Sequence, residues 1–173
     1  MREMIRKAQD KDLRALTDLY NYYIEHTAIT FDVEPFTLEM REEWYRHYNL
    51  TPHYLLYVAE QDHEILGYAS SSRFNPKAAF QTSVETSIYL QPGKTGNGVG
   101  SRLYARLFEE LKHADVHRAY AGITFPNPVS FAFHQKFEFK PAAVFHQVGR
   151  KFGKYHDVHW LEKRLDQDLN VSG

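Results

Sequence analysis

The sequence predicts one mixed α/β domain, and three observations carry that expectation. Apolar residues recur three and four apart in some stretches and alternate in twos in others. The resulting order, β-α-α-β-β-β-α-β-α-β-β, has too many adjacent strands for a purely doubly wound sheet. The 173 residues are 43% hydrophobic and 15% aromatic, enough for one core and too apolar for disorder. The domain is expected over residues 1–165, with a polar, frayed tail at 166–173.

Each element follows from its local pattern. Residues 2–8 read as a short strand, after which Asp10 or Asp12 is placed to cap a helix. In that helix Leu13, Leu16, Leu19, Tyr20, Tyr23 and Ile24 recur at helical spacing. Thr37 caps a second helix, with Met40, Trp44 and Tyr48 on one side. Residues 54–59 and 65–71 bracket a polar turn at 61–64, the signature of a hairpin. The 73–82 segment, containing Pro76, reads as a loop. In the strand at 84–90, Val84, Thr86, Ile88 and Leu90 share one face, and Glu85, Ser87 and Tyr89 the other. Val99, Leu103, Leu107 and Leu111 form the buried stripe of a third helix. Residues 118–124 make a strand. Asn127-Pro128 starts a fourth helix, with asparagine as cap and proline at its first position. Strands near 141–148 and 156–165 close the order.

Composition narrows the function classes. A net charge of −1 without a long basic run argues against a nucleic-acid partner. No apolar run reaches membrane-spanning length, and the first six residues lack the apolar core of a signal peptide. With no cysteine there is no disulfide, thiolate nucleophile or zinc–thiolate site. A cytoplasmic protein is expected, which makes the sequons at Asn49 and Asn170 coincidental. Ten histidines raise the question of a metal, but no His, Asp or Glu set has ligand spacing on one face. His156 and His159, three apart in a strand, point to opposite faces. No metal is expected.

The chemistry begins where Gly96-Asn97-Gly98-Val99-Gly100 joins a strand to a helix. Backbone N–H groups at a positive helix end suit a phosphate or pyrophosphate. Three phosphate loops compete. The P-loop needs a glycine at position 88, where isoleucine stands. The dinucleotide fingerprint finds Ser101 at its third glycine and a hairpin where its first βαβ unit belongs. The remaining pattern, strand then x-Gly-x-Gly-x-Gly then helix, resembles motif A of the GCN5-related N-acetyltransferases. Taken alone, the glycines fit equally well a turn that merely starts a helix.

The resemblance covers nearly the whole chain and is specifically to the phosphinothricin and methionine sulfoximine N-acetyltransferase branch. Its residues are Thr30-Phe31 before Glu34-Pro35, Gly67-Tyr68-Ala69, Val84-Glu85 with Tyr89, and the loop through Gly100. Further on come Asn127 with Ser130 and His134, and the run from Gly149 through Gly153 leading to His156-Asp157-Val158. Two positions depart from it: Thr95 stands for an arginine or glutamine, and Glu138 for a glycine at a helix end.

That resemblance implies a central mixed, mostly antiparallel sheet flanked by about four helices. It implies acetyl transfer from acetyl-CoA to the amine of a small acidic amino-acid-like molecule, by direct attack in a ternary complex. Thr95, Gly96, Asn97, Gly98, Val99 and Gly100 would wrap the pyrophosphate. Backbone groups of Ile88, Tyr89 and Leu90 would pair with the pantetheine arm, with Asn127 and Ser130 also at the cofactor. Glu85 is the candidate general base, its pKa raised by burial; the bare sequence leaves open a glutamate paired with Arg or Lys. His134, one turn beyond Ser130, is either the acid that protonates the leaving thiolate or a hydrogen-bond partner of the sulfur. Phe31, Arg73, Phe74, Lys77, Lys151, Tyr155 and His156 would surround the acceptor, with Arg73 and Lys77 binding its acidic group. A homodimer is expected, its interface on the aromatic-rich C-terminal strands. A polyamine, an aminoglycoside or a protein N-terminus as acceptor, and a non-catalytic CoA sensor, remain open alternatives.

Overall fold

A computed structural model of the protein describes residues 3–165, so the tail expected at 166–173 lies outside the described residues. The strands β1 (Met4–Lys7), β2 (Leu56–Gln61), β3 (Glu64–Arg73), β4 (Ser83–Leu90), β5 (Arg118–Thr124), β6 (Lys140–Lys151) and β7 (Lys154–Arg164) form one sheet. Their spatial order is β1-β2-β3-β4-β5-β7-β6. All neighbours are antiparallel except β4 and β5. The helices are α1 (Leu13–His26), α2 (Leu38–Tyr45), α3 (Val99–Leu111) and α4 (Pro128–Lys136).

Two apolar layers hold the sheet. On one face, Leu103, Leu107 and Leu111 of α3 are fully buried and pack with Ala69, Val84, Ala119 and Leu161. On the other, Leu16 and Leu19 of α1 pack against Leu56, Val58 and Tyr68. Alternation along β4 therefore assigns Thr86 to the α3 side and Glu85, Ser87 and Tyr89 to the α1 side. No helix among the described residues is long and apolar enough to cross a membrane.

Several local expectations are corrected. A 3-10 turn at Asp10–Asp12 precedes α1, whose N-terminus takes no side-chain cap. The Asp12 carboxylate instead accepts from the Gln9 N–H at 2.8 Å and is gripped by Arg6 at 2.7 Å. Thr37 does cap α2, accepting from Met40 N–H at 3.3 Å, but Met40 is half exposed and Tyr48 lies beyond the helix end. The buried residue of α2 is Arg41, its guanidinium stacked 3.5 Å over the Trp44 ring. The sequence pattern hides this, because a cation on an apolar face reads as solvent-facing. The last two strands are longer than expected and form one hairpin. Its turn is Phe152-Gly153, both at positive φ, and a register shift lies between Phe145 and Gly149. Gly149 and Gly153 interrupt the apolar alternation that marks a strand, so residues 149–155 look unlike one in sequence.

Candidate active site

The site lies where β4 and β5 part. Their parallel ladder registers only Ser83 with Arg118, Val84 with Ala119 and Glu85 with Tyr120. Beyond Glu85 the strands splay, leaving backbone groups of β4 without a ladder partner on that side. A cavity of about 60 Å³ fills the fork, lined by Thr86 to Tyr89 on β4, Ala121 to Thr124 on β5, and Ser130 and His134 on α4. It has room for a group of a few heavy atoms. A second cavity of about 530 Å³ adjoins it and runs to the glycine loop. Ile29, Ile88, Tyr89, Asn127 and Ser130 line both.

Glu85 is half-buried at the fork's vertex, on the α1 side of the sheet. Burial raises its pKa above the ordinary carboxylate value. Among the described residues no cation pairs with it to oppose that rise. The solvated ion-pair alternative has no partner among the described residues.

His134 projects from α4 on the opposite side and is 4% exposed. Its Nδ1 lies 2.8 Å from the Ser130 carbonyl, an acceptor only, so Nδ1 carries the proton and donates. Nε2 then carries no proton and lies 3.1 Å from the Tyr104 hydroxyl, which also reaches Thr86 Oγ1 at 3.2 Å. Desolvation lowers the His134 pKa against the opposing bond to Ser130, keeping the ring neutral. Both ring nitrogens are thus engaged within the protein. The Ser130 hydroxyl lies 3.3 Å from Nδ1 and, unlike Tyr104, lines both cavities.

The loop before α3 is shaped for an anion. Gly96 and Gly98 have φ of +89° and +77°, a left-handed backbone that side-chain-bearing residues rarely adopt. Thr95, Gly96, Gly98 and Gly100 line the larger cavity. Asn97 and Val99 do not: Val99 is buried in the core, and the Asn97 carbonyl accepts from Arg102 at 3.2 Å. Asn127 caps α4 by accepting from Ser130 N–H at 3.1 Å while also lining the cavity.

Sequence reasoning overlooked part of the wall. Val129, Ala132, Phe133 and Lys136 line it from α4, and their i, i+3, i+4, i+7 spacing was a readable signal. Lys136 donates to Ser101 Oγ at 3.3 Å, bringing a cation to the start of α3. Tyr23 of α1 also lines it, its hydroxyl donating to the Leu90 carbonyl at 2.7 Å.

The seven residues expected around the acceptor fall into separate places. Phe31 and His156 are neighbours, ring centroids 6.1 Å apart, with Phe31 lying against Gly149, where a Cβ would overlap its ring. Lys151 joins them but is buried, its ammonium donating to the Thr30 carbonyl at 2.8 Å. Phe74 stacks on Tyr120 at 4.4 Å and meets the edge of Trp160 at 6.0 Å. Arg73 follows Ser72, the cross-strand partner of Glu85, and lines a cavity of about 480 Å³ with Trp44, His47 and Tyr48. Lys77 is exposed in the loop, and Tyr155 is 63% exposed near the hairpin turn.

The acetyltransferase (GNAT) domain family matches residues 5–160. The chain is 49% identical to a phosphinothricin N-acetyltransferase of Streptomyces coelicolor, over 93% of this chain and 95% of that one. It is 32% identical to an L-methionine sulfoximine/L-methionine sulfone acetyltransferase of Salmonella typhimurium, over 94% and 95%. A Salmonella typhimurium structure solved with its cofactor acetyl-CoA superposes with a TM-score of 0.91 at 32% identity, covering 96% of each chain. A parallel strand fork, a glycine loop at a helix start and a half-buried carboxylate at the vertex thus stand in a chain that belongs to the GNAT family of acetyl-CoA-dependent N-acetyltransferases, in the branch holding these relatives.

Proposed function

We propose that the acceptor is the α-amine of a small acidic amino-acid-like molecule of the phosphinothricin or methionine sulfoximine type. The observation that carries this reading is Glu85: half-buried, without a cationic partner among the described residues, and at the vertex of the fork. A carboxylate so placed takes a proton from an incoming ammonium group and leaves the amine nucleophilic. The relatives' acceptors support the acidic class. Arg73, next to Glu85's cross-strand partner, supplies a cation for the acidic group, and Phe31, Phe74 and His156 supply aromatic surfaces.

Acetyl-CoA fits the residues of the larger cavity. The N–H groups of Gly96, Gly98 and Gly100 and the Lys136 ammonium suit its pyrophosphate, and Ile88, Leu90 and Phe133 suit an apolar arm. When bound, it supplies an acyl carbon activated by a thiol leaving group. The β4 backbone beyond Glu85, which has no ladder partner on the β5 side, would offer N–H groups to hold the arm and the acyl carbonyl oxygen. Glu85 would hold the proton taken from the attacking amine. The Ser130 hydroxyl, which lines both cavities and lies 3.3 Å from His134 Nδ1, would donate a hydrogen bond to the leaving thiolate.

The reading includes a homodimer and a cytoplasmic setting. Strand β6 is the sheet's outer edge and exposes Val144, Phe145 and Val148; an apolar edge of this kind invites a second copy. A cysteine-free chain suits a reducing compartment.

Free CoA release measured over an acceptor panel tests the substrate class. Phosphinothricin and methionine sulfoximine are expected to exceed spermidine, an aminoglycoside and a peptide N-terminus in kcat/KM by about a hundredfold, the worth of one well-formed charged contact. Turnover of spermidine alone would overturn the class, and no turnover with any amine would favour a CoA sensor.

A further inference from the structure

We propose that Lys151 is a positioning residue, whose buried ammonium latches the tip of the β6–β7 hairpin onto the 27–32 loop and so fixes one wall of the reaction cavity. It does not touch the acceptor. The inference rests on the proposed reaction only for what the wall serves.

An ammonium 4% exposed must be paired or bonded, because desolvation penalises its charge. Lys151 meets that need entirely within the protein. Nζ donates to the Thr30 carbonyl at 2.8 Å, the Asp32 charge favours it through space without direct contact, and the Phe152 ring lies 5.3 Å away. These groups belong to the loop and the hairpin turn, not to either cavity of the fork.

The same loop is tied at other points. The Tyr20 hydroxyl bonds the Thr30 hydroxyl at 2.7 Å and donates to Asp32, while the Tyr20 ring packs edge-on against Tyr89 at 5.2 Å. Thr124 donates to the Ile29 carbonyl at 3.5 Å. Phe31 lies on Gly149, and the His156 Nε2–H donates to the Lys151 carbonyl at 3.2 Å. Ile29, held between these ties, lines both cavities, and Tyr89 is the wall beside it. Segment 27–32 has no regular secondary structure, so its position depends on these contacts. Loss of the Lys151 bond leaves the Thr30 carbonyl unsatisfied and the loop free to withdraw Ile29 from the fork.

Two variants test the latch by different routes. Lys151→Met keeps length and apolar contact but removes the donor. Gly149→Ala leaves Lys151 intact and drives a methyl into the Phe31 ring. Amide hydrogen exchange at residues 27–32 is expected to accelerate at least about tenfold in both, with α3 unchanged. In steady-state assays the acceptor KM should rise about tenfold while kcat stays within about threefold, a loss of positioning and not of chemistry. The penalty should be equal for an acidic acceptor and for one with a neutral side chain, and Lys151→Arg should recover part of it. Unchanged exchange in Lys151→Met overturns the latch. So does a penalty confined to the acidic acceptor with Gly149→Ala behaving as wild type, since that is the mark of direct contact. The exchange readout needs no turnover, so a wrong acceptor class leaves it standing.

Discussion

Glu85 is a residue whose burial costs stability. Burial raises its pKa, so the folded state binds the proton more tightly than the unfolded chain. Stability is therefore greatest below the unfolded carboxylate value and falls as pH rises toward the folded one. At neutral pH the ionised carboxylate carries the cost of burial, and Glu85→Gln should raise Tm at pH 7 while leaving Tm nearly unchanged near pH 4. An unchanged or lowered Tm at pH 7 would show that the carboxylate is stabilised by something beyond the contacts described. Lys136 is the opposite case, a partner that only the fold reveals. Its ammonium stands by Ser101 at the start of α3, where Thr95 supplies no charge. Lys136→Met should raise KM for acetyl-CoA about threefold to tenfold, the worth of a partly exposed charged contact, and leave the acceptor KM alone. An equal change in both would place its effect elsewhere. Glu85 was readable because alternation and the motif both point to position 85. The engagement of His134 was not, since Tyr104 lies thirty residues away and only packing joins them.

At the scale of the element, helix ends and strand interruptions decide what the sequence reveals. Thr37 and Asn127 cap as their residue types dictate. Asp12 does not, because Arg6 and Gln9 claim its carboxylate first. The end of α4 shows the consequence of its unusual residue. Glu138 occupies φ +66°, the conformation in which glycine is usual, and its neighbour Phe139 is buried. The Glu138–Lys163 contact at 3.2 Å offsets little of this strain, since the glutamate is 85% exposed. Glu138→Gly should therefore stabilise by about 0.5–1 kcal/mol, the left-handed penalty of about 1–2 kcal/mol less the greater unfolded-chain freedom of glycine, read as a rise in denaturant midpoint at constant slope. A loss of stability would mean that the exposed ion pair outweighs the backbone. The β6–β7 hairpin was half legible, since its glycines look like breaks although they serve a turn and a close approach to Phe31.

Across the whole molecule, the order of elements was legible but the fork was not. Hydrophobic period fixes which residues form strands, whereas the parallel pairing of β4 with β5 and its end at Glu85 arise from how α3 crosses between them. The exposed edge of β6 is likewise a property of the assembled sheet. A solution mass of twice the 20.3 kDa chain is expected, reverting to one chain in Phe145→Lys with Val148→Glu; a monomeric wild type would refute the dimer. The fork itself makes the central demand, that an unpaired carboxylate at its vertex removes the acceptor's proton. The most direct test is the pH profile of kcat/KM for wild type and Glu85→Gln, with acetyl-CoA affinity measured alongside. Wild type should show an acidic limb above the ordinary carboxylate value of 4.5. Glu85→Gln should bind acetyl-CoA normally, lose that limb, and turn over about a hundredfold to a thousandfold more slowly. A variant that keeps the limb and a rate within about threefold of wild type would contradict the assignment.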